Sequence, residues 1–191
     1  MIPEFTQSGV LPPFIEGQSP SASGAMAPYK VNLVDFVEKF STSEHRIEIL
    51  KGFLEYRAEF KKLGLDSGFQ WVDGSFVENV EKNRGRPPSD IDVITFAERP
   101  LVSDPSAWAT MANSRLDLFH PEASKKRYMC DAYFVDLNLP SRVIVNRTSY
   151  WFGLFSHQKE SYLWKGMLEI CLSDDEEIAM KLINEGGRNA S

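Results

Sequence analysis

Residues 71–96 read WVDGSFVENVEKNRGRPPSDIDVITF, and this stretch decides the fold class. Gly74 and Ser75 close an apolar run, a polar loop follows, and Asp90 and Asp92 open a second β-like run. Strands disfavour Asp. Two of them at i and i+2 project from one face. Carboxylates that close repel each other unless a cation lies between them. The pattern predicts strands over 68–74 and 90–96, with one helical turn at 76–80 and a Gly/Pro loop at 83–89 between them.

Working outward, NLVDFVEKF (32–40) predicts a short helix capped by Asn32. A longer helix follows, with a capping box at Ser41 and Glu44, a stop at Gly64, and Ile47, Leu50, Leu54 and Ala58 at helical spacing. Asp104 and Pro105 open a helix to about Leu118, and 126–139 reads as a third strand. Residues 141–161 carry both strand and helix signals; 161–172 reads as a fourth strand. Ser173 and Glu176 form a second capping box for a helix ending at Gly186–Gly187. Helices before, between and after a few strands predict an α/β (α+β) fold, a mixed sheet with helices packed on it.

At 191 residues the chain suits one domain over 31–191, preceded by an N-terminal arm over 1–30 that holds five of the eleven prolines. Hydrophobic residues make up 42%, including 13 Phe and 4 Trp, which is ample for a core. The net charge of −6 argues against coating extended nucleic acid. Cys130 and Cys171 are expected to be buried, reduced thiols. The N-terminus lacks a basic start and an apolar segment, and no apolar run reaches about 18 residues, so a cytoplasmic protein with no membrane span is expected.

The chemistry concentrates between residues 74 and 131. Gly74 permits an unusual φ or a close backbone approach. Ser75 offers a hydroxyl and an N–H at a helix start, which suits a phosphate oxygen. Asp90 and Asp92 suit a hard divalent cation, and Mg²⁺ binds through one or two carboxylates plus substrate phosphates. A third carboxylate permits two metals about 3.5–4 Å apart. Asp131, inside the apolar run YMCDAYF, is preferred for that place over Asp136, which lies near the strand end beside Asn138.

Gly-Ser, a spacer, Asp-x-Asp and a lone strand Asp together resemble the nucleotidyltransferase superfamily typified by DNA polymerase β. Minimal nucleotidyltransferases, poly(A) polymerases and the cyclic-dinucleotide synthases of bacterial defence belong to it. IPEFTQSGVLPPFI, WVDGSF, PSDIDVI and YWFGLFSHQKE…WKGML are similar to an uncharacterised bacterial group within that superfamily. The resemblance implies that Gly74 and Ser75 hold nucleotide phosphate, that Asp90, Asp92 and Asp131 hold two Mg²⁺ (or Mn²⁺), and that one aspartate helps activate a hydroxyl. It implies an enzyme that moves a nucleoside monophosphate from a nucleoside triphosphate to a protein hydroxyl, an RNA end or a small molecule. By analogy it admits an adenylylating antitoxin or another defence-related role. The spacer of 14 residues between Ser75 and Asp90 is long for minimal members, and the usual C-terminal helical substrate domain is missing.

Lys165, in an apolar run, either snorkels to the surface or faces the nucleotide phosphates. Arg84, Arg86, His157 and Lys159 read first as solvated loop charges. Tyr150, Trp151, Phe152 and Phe155 read first as core, with base stacking as the alternative. No zinc spacing, P-loop or Gly-x-Ser-x-Gly elbow occurs. The rival reading is a catalytically inactive binding module of the same fold, whose apolar arm docks a protein partner or a second copy of the chain.

Overall fold

The computed structural model, which describes residues 2–19, 21–100 and 105–186, runs β1 (Tyr29–Val31), α1 (Leu33–Phe40), α2 (Glu44–Lys62), β2 (Gly68–Asp73), a 3₁₀ turn (Ser75–Val77), α3 (Val80–Arg84), β3 (Ile91–Ala97), α4 (Pro105–Ser114), α5 (Leu116–Phe119), α6 (Pro121–Tyr128), β4 (Cys130–Asp136), α7 (Ser141–Phe155), β5 (Leu168–Cys171) and α8 (Glu176–Gly186). The strands form one mixed sheet in the order β1-β5-β2-β3-β4. β2 is antiparallel to both β3 and β5, whereas β1–β5 and β3–β4 are parallel. The fold is α+β, with the β2–β3 pair at the centre of the sheet.

Side chains alternate across the strands. Val72, Val93 and Ala132 enter the larger core, with α1, α2 and α8 among the elements packed there. Phe36 sits in that core with ring centroids 5.1, 5.8 and 6.0 Å from Phe40, Phe53 and Phe76. Each such fully buried ring contributes about 1.5–3 kcal/mol. Trp71, Ile94 and Val135 take the opposite face and pack with Phe155, Trp151 and Phe152 of α7.

Several boundaries differ from expectation. Asn32 caps α1, accepting the N–H of Asp35 at 2.7 Å, as its sequence position predicts. α2 is capped by Ser43 rather than Ser41, because Ser41 terminates α1 through its N–H to Val37 O. Asp175 rather than Ser173 accepts the N–H of Glu177 at the start of α8. Residues 126–128, expected in a strand, finish α6; Pro121 starts that helix and Met129, at φ 56°, ends it. The ambiguous 141–161 resolves into α7 plus a loop, and only 168–171 of the fourth expected strand pairs as β5. The helix expected over 104–118 divides at Arg115 into α4 and α5; Asp104 and Gly187 lie outside the described residues. Cys130 is buried, but Cys171, the last residue of β5, is exposed. From the arm, Val10 and Leu11 are buried, and Leu11 and Gly9 accept the N–H groups of Gly166 and Asn79 at 2.8 Å each. Among the described residues, no helix is long and apolar enough to cross a membrane.

Candidate active site

Register builds the site. Asp73 on β2 pairs with Asp92 on β3, and Asp92 pairs with Asp131 on β4. All three share the sheet face that carries α7. The next rungs along that face are apolar: Trp71, Ile94 and Tyr133, then Phe69, Phe96 and Val135. The aspartates thus form the polar end of an apolar face, and α7 ends beside them. Asp90, two residues before Asp92, joins from the same side. One carboxylate oxygen each from Asp90, Asp92 and Asp131 lies within 4.8 Å of the others. Asp136 does not join them: five residues from Asp131, it projects oppositely and pairs with Arg99 at 2.8 Å.

This crowding raises proton affinity. Burial, then the charges of Asp73, Asp90 and Asp131, push the Asp92 carboxyl up to about 7. Burial pushes Asp73 up to about 6 against the opposing pull of Lys165. An oxygen-rich cluster whose mutual repulsion a cation would relieve suits a hard divalent metal. Asp90, Asp92 and Asp131 could hold one.

The Gly-Ser turn is locked beside the cluster. Gly74 has φ 81°, and a Cβ there would come within 2.5 Å of Asp92 Oδ2. Only glycine combines that backbone with that approach. Phe76 anchors the turn in the core, 0% exposed. Arg46, from α2, donates to the carbonyls of Phe76 at 2.7 Å and Glu78 at 2.9 Å and pairs with Glu81. Lys165 is buried and shared by Asp73 (3.0 Å) and Glu78 (2.9 Å), with its Nζ 3.4 Å from Gly74 O. Burial disfavours its charge, but those two carboxylates outweigh that and hold its pKa above the ordinary lysine value. Lys165 therefore braces the turn. Lys125, from α6, pairs with Asp90 Oδ2, while Ser89 Oγ donates to Oδ1 at 2.8 Å.

One cleft of about 1010 Å³ collects these groups. Gly74, Ser75, Asp90, Asp92, Asp131 and Lys165 all line it, so every site residue expected from sequence converges there. Arg84, Arg86, His157, Lys159, Tyr150 and Trp151 line it as well. Tyr150 is 64% exposed and does not belong to the core, whereas Phe155 is buried. Phe152 packs on Trp71 instead, at 6.2 Å between ring centroids.

Sequence reasoning missed Asp73, Glu78, Arg46 and Lys125. Asp73 was visible beside Gly74, but its importance depends on the β2–β3 register. The other three act across long sequence separations and left no local signal.

The model of DUF6932, a family of unknown function, matches residues 3–171. The chain belongs to this family. The DUF6932 match spans β1 to β5 and includes every cleft residue named above. No curated protein matches the chain, and no solved structure does.

Proposed function

We propose that this DUF6932 chain is a Mg²⁺-dependent nucleotidyltransferase of the DNA polymerase β type, which transfers a nucleoside monophosphate from a nucleoside triphosphate to a hydroxyl acceptor. The observation that carries the proposal is the meeting of Asp90, Asp92 and Asp131 within 4.8 Å, in one cleft with the Gly74–Ser75 turn. Asp90, Asp92 and Asp131 would hold the metal. Held there, Mg²⁺ would supply charge neutralisation for phosphate and for the oxygens entering and leaving phosphorus. Gly74 and Ser75 would hold the phosphates, since the turn lacks a Cβ at Gly74 and offers the Ser75 N–H and hydroxyl, and Lys165 keeps the turn in place. The acceptor oxygen attacks the α-phosphorus, its proton passes to a carboxylate of the cluster, and the α–β phosphoanhydride bond breaks to release pyrophosphate. Positioning and electrostatic preorganisation supply most of such a rate enhancement. The acceptor is a protein hydroxyl, an RNA end or a small molecule, and an adenylylated partner protein is one form of it.

A second reading, a non-catalytic binding module, draws on the exposed apolar residues of α7, where Val145 is 61% and Leu154 53% exposed. Incubating the protein with labelled nucleoside triphosphates, Mg²⁺ or Mn²⁺ and a cell lysate separates the two. The enzyme reading predicts label transfer with pyrophosphate release, both lost in the Asp90→Ala/Asp92→Ala double variant. Nucleotide binding without transfer to any acceptor favours the module.

A further inference from the structure

Two lysines reach the acidic cluster, and they are held differently. The Lys165 side chain is 3% exposed and bridges two carboxylates. Moving its ammonium would leave Asp73 buried without a counter-charge and Glu78 with Arg84 alone, at 3.6 Å. Among the described residues, Lys125 forms an ion pair with Asp90 alone, and 51% of its side chain faces solvent.

Asp90 has both oxygens engaged, Oδ1 by Ser89 and Oδ2 by Lys125. An ammonium on Oδ2 and a divalent cation shared with Asp92 and Asp131 would repel across a few ångströms. The lysine can yield without any change of fold. Its helix, α6, is fixed to β4 by Ser124 Oγ, which donates to Cys130 O at 2.9 Å. The exposed four-carbon stem needs only to rotate into water.

On the reading of Asp90, Asp92 and Asp131 as a metal site, we propose that Lys125 is an exchangeable counter-ion. It neutralises Asp90 in the metal-free protein and is displaced when a divalent cation binds. Metal binding then exchanges one cation for another instead of filling a bare acidic cluster. The metal-free protein keeps Asp90 compensated, at the expense of weaker metal affinity.

The test is Mn²⁺ titration of the full chain followed by electron paramagnetic resonance. Lys125→Gln should bind Mn²⁺ about two- to fivefold tighter than wild type, the range expected for losing one water-exposed ion pair. Lys126→Gln makes the same charge change one exposed residue along and should match wild type. Thermal melting supplies a second readout: Lys125→Gln should melt below wild type without metal, and the gap should close at saturating Mn²⁺. Equal or weaker Mn²⁺ binding by Lys125→Gln overturns the exchange while leaving the metal site standing. Equal tightening in Lys126→Gln also overturns it, since general charge would then explain the effect. A wild-type protein with no saturable Mn²⁺ binding that Asp131→Asn removes overturns both the exchange and the metal site.

Discussion

Asp92 stands at the middle of the site, between Asp73 and Asp131 in the sheet, and its proton follows from that position. Its carboxyl is pushed up to about 7 in the folded chain, against about 3.9 when unfolded. A raised folded pKa contributes stability that is complete below pH about 4 and is lost as pH rises towards about 7. Asp92→Asn removes that dependence. Without metal, the variant should therefore melt level with wild type near pH 4 and above it at pH 8. Each kcal/mol of relief corresponds to about 2–4 °C in a chain of this size. Saturating Mn²⁺ should cancel the wild-type deficit at pH 8. A variant that melts below wild type at pH 8 without metal would contradict the charge crowding.

At this scale the sequence was informative where chemistry is local. Two aspartates at i and i+2 must share a face, and Gly74 does adopt the unusual φ that a glycine permits. The choice of Asp131 over Asp136 rested on burial, yet strand alternation alone separates them. Asp73, Glu78 and Lys125 were overlooked because a charged residue is ordinary until register or packing brings it to other charges.

Among the elements, α2 was legible from Ile47, Leu50 and Leu54 at helical spacing with Gly64 at its end, and the β2–β3 pair from two apolar runs separated by a Gly/Pro loop. α7 was ambiguous because Val143, Ile144 and Val145 imitate a strand. Its helical form follows from the sheet beneath, where Tyr133 meets Trp151 at 4.6 Å between ring centroids. The end of α6, residues 126–128, was absorbed into the following strand because KRY gives no stop signal, and Met129 does the turning usually left to glycine. β1 was missed because three residues at a sheet edge carry too little pattern.

The elements are tied together by a charge network that propensity does not show. Arg57 of α2 is 0% exposed. It donates to Glu176 of α8 at 2.9 Å, Gln70 of β2 at 2.7 Å and the Cys171 carbonyl of β5 at 2.8 Å. Arg57→Leu leaves Glu176 with Lys61 as its counter-charge but takes the donor from Gln70 Oε1, and a buried polar group left unsatisfied costs about 1–3 kcal/mol. Arg57→Leu should lose about that much in urea unfolding. A loss below about 1 kcal/mol would mean that the network contributes little.

Across the whole molecule, one sheet carries two different faces. The first is buried against helices and stabilises the chain. The second is apolar under α7 and acidic beyond it, so the cleft opens where the apolar cover stops. Composition predicted the core, and the motif order predicted the central strands. Neither indicated that α7 would form a cleft wall, because that depends on where the chain crosses the sheet after β4. The net charge of −6 also hides a local contrast, since residues 141–159 contain three Lys or Arg and no acid.

The central claim is that Asp90, Asp92 and Asp131 act together on a divalent cation, and Mn²⁺ binding to Asp131→Asn tests it most directly, with Asp136→Asn as the matched control. The account predicts saturable binding by wild type, a weakening of about tenfold or more in Asp131→Asn, which is about 1.4 kcal/mol or more, and wild-type affinity in Asp136→Asn. Equal affinity in all three proteins would contradict it.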